Sequence, residues 1–167
     1  MSIVSTSDND KFGGSHAQVL LLTGVNGNYE LQTETVIMDG LTPVTTSNNW
    51  LAVNDVGVVA SSLTNEGTIS ITADISATLQ ARVEATIGKS ESTHFVVPMN
   101  HTFVLTKLVT AVGNNDKIQL ISYTSIPGLG IPDVRNIITP INESFVDVNY
   151  NMPLFGPETA NIRIAAS

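Results

Sequence analysis

Three histidines are the side chains of this sequence best suited to chemistry, because a neutral imidazole can act as a base or bind a metal. His16 lies in a polar N-terminal stretch, whereas His94 and His101 flank a short Val-Val-Pro-Met-Asn turn. If the flanking segments pair as a hairpin, these two histidines approach each other. A nucleophile also needs an adjacent base and a third orienting group, and neither a nucleophile elbow nor a zinc-binding HExxH motif occurs. Polar surface residues on facing strands are therefore the favoured interpretation.

The acidic and aromatic residues offer no clearer site. Asp8, Asn9 and Asp10 resemble the start of a calcium loop, but the glycine and the distant bidentate glutamate of such a loop are missing. Trp50 and Tyr29 would suit a sugar-stacking platform, but both lie in strongly alternating segments, which favours packing in a core or an interface. We therefore predict no catalytic residue, no metal and no cofactor, and a protein that is not an enzyme.

The elements that must position any site are predicted to be strands. Period-2 alternation begins at residue 17 and recurs in short segments separated by Gly, Asn and Pro. This pattern predicts ten to twelve strands and an all-β fold, an antiparallel β-sandwich or jelly roll. The predicted strands cover 17–24, 28–38, 50–60 (with a bulge near Gly57), 67–73, 93–98, 101–112, 117–125, 134–139, 144–150 and 159–166.

The pattern predicts one hairpin near the N-terminus and leaves one later segment ambiguous. Asn26-Gly27 favours a primed turn with positive φ angles, so 17–38 is predicted to be a hairpin. In the second strand of that hairpin, one face carries Tyr29, Leu31, Thr33, Thr35 and Ile37, and the other carries Glu30, Gln32, Glu34 and Val36, of which Glu30 and Glu34 are expected to form a solvent-facing ladder. The stretch 76–88 has both helical composition and strand alternation, and we favour a strand because its neighbours are strands. We likewise expect 93–98 and 101–112 to pair with each other.

The composition restricts the possible partners. Charged residues make up 13% of the chain, against about 25% in a typical globular domain, and the formal net charge is −8 with only seven Lys and Arg. Binding to nucleic acid depends on clustered basic residues, so no nucleic-acid partner is expected. The longest apolar runs fall far short of the roughly 20 residues of a membrane helix, so no membrane partner is expected either. Without cysteine, neither disulfides nor thiol chemistry are available.

Residues 1–16 are polar and lack periodicity, so they are predicted to form an N-terminal arm, followed by a single β-sandwich domain over 17–167. Three apolar side chains of this arm, Ile3, Val4 and Phe12, are the candidate anchors that would bind grooves on a neighbouring protein. A further argument for self-association is that strands with few charges have edges that require protection.

Two blocks of sequence resemble a family of small virion structural proteins of tailed bacteriophages, especially marine, cyanophage-like short-tailed phages. The blocks are GNYELQTETVIMDGLTPVTTSNNWLAVND (27–55) and FVVPMNHTFVLTKLVTAVG (95–113), with the weaker GTISI (67–71) between them. Asn100-His101 stands where that family usually has a glycine-containing turn.

The resemblance implies a structural protein of a virion, built as a capsid decoration protein or as a fibre. The function we expect is decoration (cementing) of the outer capsid surface by a homotrimer that contacts the major capsid protein. The alternative is a tail or head fibre module that adsorbs to a host surface glycan. A free-standing carbohydrate-binding accessory of an enzyme is a third, weaker possibility.

Overall fold

The computed structural model describes residues 1–60, 64–90, 94–112, 120–125, 133–138, 144–156 and 158–166. Within these ranges the backbone forms thirteen strands and no helix, and every strand pair is antiparallel. The prediction of an all-β fold is therefore confirmed. No helix in the described part of the chain is long and apolar enough to cross a bilayer.

The chain divides into two compact units, Met1–Ser92 and Thr93–Ser167. This division differs from the single domain that the sequence predicts after residue 16. The strands of the first unit are β1 (Ser2–Ser5), β2 (Val19–Val25), β3 (Leu31–Ile37), β4 (Val44–Thr45), β5 (Ala52–Ala60), β6 (Ile69–Thr72) and β7 (Leu79–Val83). Those of the second are β8 (His94–Val96), β9 (Phe103–Val112), β10 (Leu120–Ser125), β11 (Asp133–Ile138), β12 (Ser144–Gly156) and β13 (Asn161–Ala166).

The first unit contains two sheets that share one core. Their strand orders are β4-β1-β6-β7 and β3-β2-β5. Alternate residues of each strand point into the same cluster, as the period of two requires. The buried side chains of that cluster come from both sheets and include Ile3, Leu20, Leu22, Val36, Val53, Val56, Ile69, Ile71 and Val83. The segment around Lys89 forms an isolated antiparallel bridge with Gly57 and so covers the edge of β5 that faces away from β2.

The second unit also has two sheets, with strand orders β11-β10-β13-β8 and β12-β9. This topology overturns the expected pairing of 93–98 with 101–112, because β8 pairs with β13 and β9 pairs with β12. Asn100, with φ of 62°, turns the chain between the two strands. The turn was expected, but it joins strands of different sheets instead of closing a hairpin.

The hairpin over 17–38 forms as predicted, with β2 and β3 in continuous register. Its turn is of another kind than predicted, because the positive φ, 62°, belongs to Tyr29 and not to Gly27. The Asn26 side-chain oxygen accepts hydrogen bonds from the peptide N–H of Asn28 at 2.9 Å and of Glu30 at 3.1 Å. Asn26 therefore closes the loop as an Asx turn, which needs no primed geometry.

The ambiguous stretch 76–88 contains strand β7, so the preference for a strand is confirmed. The bulges of β5 lie elsewhere than predicted. Gly57 pairs regularly with Leu21, whereas the register shifts at Asn54 and Val59. At both positions one extra residue of β5 is left out of the pairing, and β5 stays paired with β2 on either side of it.

The largest departure from expectation concerns residues 1–16, which were predicted to be an arm. Residues Ser2–Ser5 form β1, an inner strand of the sheet β4-β1-β6-β7 that pairs with a neighbour on each side. The sequence signal was weak because the strand is only four residues long and is followed by polar residues. Its burial is decided by the two strands that flank it.

Replacing Ile3 with Ala should therefore destabilise the protein by about 2–5 kcal/mol, because the change leaves a cavity at a side chain with 0% exposure. Urea unfolding followed by circular dichroism measures this cost. Val4→Ala is the matched control, since Val4 lies on the opposite, half-buried side of the same strand, and it should cost well under half as much. Equal and small effects for both variants would mean that β1 is not part of the core.

Candidate functional site

The three proposed anchors do not form one surface. Ile3 is fully buried in the core of the first unit, and Val4 is half-buried on the other side of β1. Only Phe12 projects into solvent, with 72% of its surface exposed. Its peptide N–H donates to the carbonyl of Met38 at 3.0 Å, which fixes Phe12 beside the C-terminal end of β3. Of the three, Phe12 alone is placed to contact another protein.

The segment after β1 is held by the buried carboxylate of Asp10. Its Oδ1 accepts hydrogen bonds from the peptide N–H of Ala17 at 3.2 Å and of Glu66 at 2.8 Å. Its Oδ2 accepts from the Ser5 hydroxyl at 2.6 Å and from the Gly67 N–H at 2.9 Å. Four donors satisfy a charge that would otherwise be costly to bury. Because these contacts occupy both oxygens, the carboxylate is a structural tie and not a calcium ligand.

The loop that Asp10 holds is tightly packed. A Cβ at Gly67 would lie 2.5 Å from the peptide nitrogen of Ser7 and 2.7 Å from the Ser5 hydroxyl oxygen. Only glycine leaves room for that approach. Next to it, Asn65 is also fully buried, and its amide donates to the carbonyls of Gly67 and Glu84 and accepts from the Gly88 N–H. The buried side chains of Asp10 and Asn65 thus hold the loop at 65–67 in place.

Glu66 closes this loop on its solvent side. Its carboxylate accepts hydrogen bonds from the Ser7 hydroxyl and from the Asn9 amide. These two bonds, with a smaller contribution from the charge of His16, hold the pKa of Glu66 below its ordinary value of 4.5. The ionised form therefore stabilises the contact between residues 7–9 and the loop before β6.

A different kind of surface lies on the outer side of the sheet β3-β2-β5. The side chains of Leu31, Thr33, Thr35 and Ile37 point outward, with Leu31 54% and Ile37 59% exposed. We call these four residues the β3 surface. Neighbouring rows continue it across the sheet: Ile37 lies beside Val19 and Ala60, and Thr35 beside Leu21 and Gly57. These two rows contain no charged side chain, whereas the row of Thr33 ends on β5 at Asp55, which pairs with Lys89.

The β3 surface also has an open hydrogen-bonding edge. The N–H of Met38 donates to the carbonyl of Gln18, and the N–H of Asn26 donates to the carbonyl of Glu30. Because hydrogen-bonded pairs alternate along an antiparallel ladder, this register means that the even-numbered residues of β3 are the ones bonded to β2. The odd-numbered residues direct their peptide groups away from β2. Since β3 is the end strand of its sheet, these groups face no other strand of the described chain. The four residues thus combine exposed side chains with unpaired backbone.

A cavity of about 220 Å³ lies at another place in the first unit. It is lined by Met1, Asn48, Asn49, Trp50, Ala73, Asp74 and Ile75. The Trp50 ring is partly buried against the core, and its Nε1 is buried without a hydrogen-bond acceptor among the described residues. Asp74 Oδ2 lies 2.9 Å from the amino group of Met1. Pairing the two charges leaves the cavity wall electrically balanced.

The histidines do not assemble into a centre. The ring of His94 lies 3.1 Å from the side-chain oxygen of Asn161, and that of His101 lies 2.8 Å from the carbonyl of Met99. Their strands pair with different partners, so the approach across a hairpin that the sequence suggested does not arise. Among the residues that the structure describes, no group of three or more His, Asp or Glu side chains could hold a metal ion.

Comparison with known proteins adds no relative. No protein-family model, curated protein or solved structure matches this chain. The resemblance to virion structural proteins therefore stays a prediction from the two sequence blocks.

Sequence reasoning missed the two features that the structure brings out, namely the open edge of β3 and the tie made by Asp10. The uncharged outward alternation of residues 31–37 was the available signal for the edge.

Replacing Asp10 with Asn should destabilise the protein by roughly 3 kcal/mol, because the amide group would face peptide N–H donors and leave at least one of them buried without an acceptor. Urea unfolding at neutral pH measures the change. Asp8→Asn is the control, since Asp8 is exposed and its carboxylate accepts from the exposed Lys11, and it should change stability by less than about 0.5 kcal/mol. If both variants unfold at the same urea concentration as the wild type, Asp10 is not the tie.

The lowered pKa of Glu66 predicts a pH dependence of stability. The contribution of its carboxylate is present above the unfolded-state value near 4.5 and is lost as pH falls through the lower folded value. Glu66→Gln removes this contribution, so the difference in unfolding free energy between wild type and variant should be larger at pH 7 than at pH 3. Urea titrations at both pH values test this, with Glu30→Gln as an exposed control. A difference that does not change with pH would contradict the assignment.

Proposed function

We propose that this chain is a non-enzymatic structural protein of a virion, a β-sandwich or jelly roll that decorates the outer surface of a phage capsid. The observation that carries the proposal is the β3 surface, which is exposed, uncharged and bordered by an unpaired strand edge. The resemblance of residues 27–55 to phage structural proteins includes strand β3, although β2 lies outside it. Without that resemblance, the surface would support only a general assembly role.

A strand with exposed apolar side chains and free peptide groups tends to pair with another chain, and monomeric proteins usually block such edges with lysine, proline or a bulge. None of these devices is present between Leu31 and Ile37, where the register with β2 is also unbroken. By contrast, the opposite edge of the sheet is covered by the segment around Lys89. This asymmetry supports the interpretation of β3 as a contact that is completed in an assembly.

The partners follow from the same features. Copies of the chain itself, as a homotrimer, would cover one part of the apolar surface, and the major capsid protein would cover another. The number three comes from the family resemblance alone. Phe12, fixed beside the end of β3, would extend the contact. The clamp that the sequence suggested, a reaching N-terminal arm, is replaced in this proposal by a strand surface, since Ile3 lies in the core.

The proposed location is the outside of the head. A net charge of −8 opposes contact with packaged nucleic acid, whose phosphates would repel the protein. The outer surface requires no such contact. The sequence is rich in Thr, Asn and Ser, which would keep a many-copy protein hydrated without adding charge.

The deciding experiment is done on purified virions. Quantitative mass spectrometry should give many copies per particle, in a simple ratio to the major capsid protein, and immunogold labelling should mark the head. Labelling of the tail, or a few copies per particle, would overturn decoration in favour of a fibre. Absence from virions would overturn the whole proposal.

A single lysine on β3 provides a test with the isolated protein. Thr35→Lys places a charge on the exposed edge and should convert the self-associated protein to a monomer, as measured by sedimentation velocity at micromolar concentration. Thr45→Lys makes the same change on β4, an exposed end strand of the other sheet, and should leave the oligomer intact. A wild-type protein that already sediments as a monomer would contradict the proposed homotrimer.

A further inference from the structure

We infer that the cavity beside Trp50 is a binding site for one neutral sugar ring. The site is separate from the β3 surface and does not depend on the proposed virion function. It is built by three segments of the first unit: the amino end of β1, the loop that carries Asn48, Asn49 and Trp50, and the turn between β6 and β7 with Asp74 and Ile75.

The size of the cavity restricts the ligand. Pockets for drug-sized molecules usually enclose about 300–1,000 Å³, whereas this cavity encloses about 220 Å³. It therefore accommodates a single ring with its substituents rather than an extended molecule. A longer chain would have to continue into solvent, past the fully exposed Ile75 at the rim.

The lining combines one aromatic ring with hydrogen-bonding groups. Trp50 lines the cavity with a partly exposed ring, whereas its Nε1 is buried and has no acceptor in the described part of the chain, so the ring and not the N–H offers the contact to a ligand. The side chains of Asn48 and Asn49 are exposed at the same cavity, and each supplies both a donor and an acceptor. A sugar ring is the matching ligand, because one of its faces is made of C–H groups and its rim of hydroxyls that both donate and accept.

The loop that presents these groups is held in place by β3. The Glu34 carboxylate accepts the peptide N–H of Ser47 at 2.6 Å and of Asn48 at 3.0 Å. The Gln32 amide donates to the carbonyl of Asn49 at 2.8 Å. These bonds use the backbone of the loop and leave the two asparagine side chains available. The polar groups are thus positioned before a ligand arrives, which lowers the entropy cost of binding.

The electrostatics favour a neutral ligand over a charged one. The amino group of Met1 pairs with Asp74 Oδ2 at 2.9 Å, so the one negative side chain of the cavity is already balanced. A cation such as choline, which would also be attracted to an indole ring, finds no unpaired anion here. An acidic sugar finds no free cation in the lining and approaches a protein of net charge −8.

Trp50 is the sole tryptophan of the chain, so its fluorescence reports on this cavity alone. The probes are the methyl glycosides of glucose, galactose and mannose, together with N-acetylglucosamine, each titrated to 50 mM against the intact chain. At least one should shift the emission of Trp50 saturably, with a dissociation constant in the millimolar range. Saturation-transfer NMR should show contact with the ring protons of the same sugar. N-acetylneuraminic acid and choline are the charged comparisons and should produce no shift.

Two variants separate this site from binding elsewhere. Asn48→Ala combined with Asn49→Ala should weaken binding at least tenfold, and Trp50→Phe should abolish the NMR transfer. Asn28→Ala changes an exposed asparagine in the β2–β3 loop and should bind as the wild type does. Unfolding curves and circular dichroism establish that each variant is folded.

The inference is overturned if none of the four neutral sugars shifts the emission of the wild-type protein. It is equally overturned if choline or N-acetylneuraminic acid binds as well as they do, or if the folded asparagine double variant keeps full affinity. None of these outcomes bears on where the protein sits in a particle. A positive result on a tail-located protein would favour the adsorption alternative over decoration.

Discussion

The carboxylate of Asp10 is the interaction on which the first unit of this protein depends. It receives hydrogen bonds from the end of β1, from the residue that leads into β2 and from the loop before β6. Those three places belong to both sheets that enclose the core. Burying an unpaired charge is normally unfavourable, and it is tolerated here because four donors converge on two oxygens. The tie fixes the chain path between the two sheets, and the apolar side chains then fill the space between them.

This tie has a consequence for function. Once residues 10–17 are fixed against the loop at 65–67, the preceding strand β1 lies between β4 and β6 and cannot leave the sheet without breaking the core. A contact with another protein must then come from surfaces that stay exposed in the folded unit. The β3 surface and Phe12 meet that requirement, because the bridge between Lys11 and Asp39 brings them to the same end of β3.

The two candidate surfaces suit different kinds of partner. The β3 surface has uncharged side chains and a row of unpaired peptide groups, which suits another polypeptide with an extended strand. The Trp50 cavity has one ring, two amides and a balanced ion pair, which suits a small polar molecule. Strand β3 serves both, since its outward side chains form the first surface and its inward Gln32 and Glu34 hold the loop of the second. A structural protein that also binds a glycan would need no rearrangement to do both.

The sequence by itself determined the class of fold and the grouping of the β3 side chains into two rows, because both follow from a period of two that acts over a few residues. Which row faces inward was decided by the tertiary structure. The expected solvent-facing position of Glu34 was wrong, because Glu34 shares its face with the buried Val36 and bonds to the loop at 47–48, whereas the row of Leu31 and Ile37 is exposed. The strand within 76–88 was predictable from the alternation. Pairing was decided only by the tertiary structure. By the registers of these strands, the partners of β8 lie 65–69 residues away along the chain and those of β9 lie 32–53 residues away, and no local pattern records them.

The same distinction explains the candidate sites. Asp10 appeared in the sequence as one polar residue among several, because two of its four partners are 56 and 57 residues distant. Ser2–Ser5 gave a strand signal too short to recognise, and its burial depends on β4 and β6 arriving on either side. The Asn-Gly pair indicated a turn correctly, but its geometry was set by the side chain of Asn26 and by Tyr29. Local alternation thus fixes which residues share a face, whereas only the converging distant segments decide which face is buried, which polar groups become ties and which strand is left with an open edge.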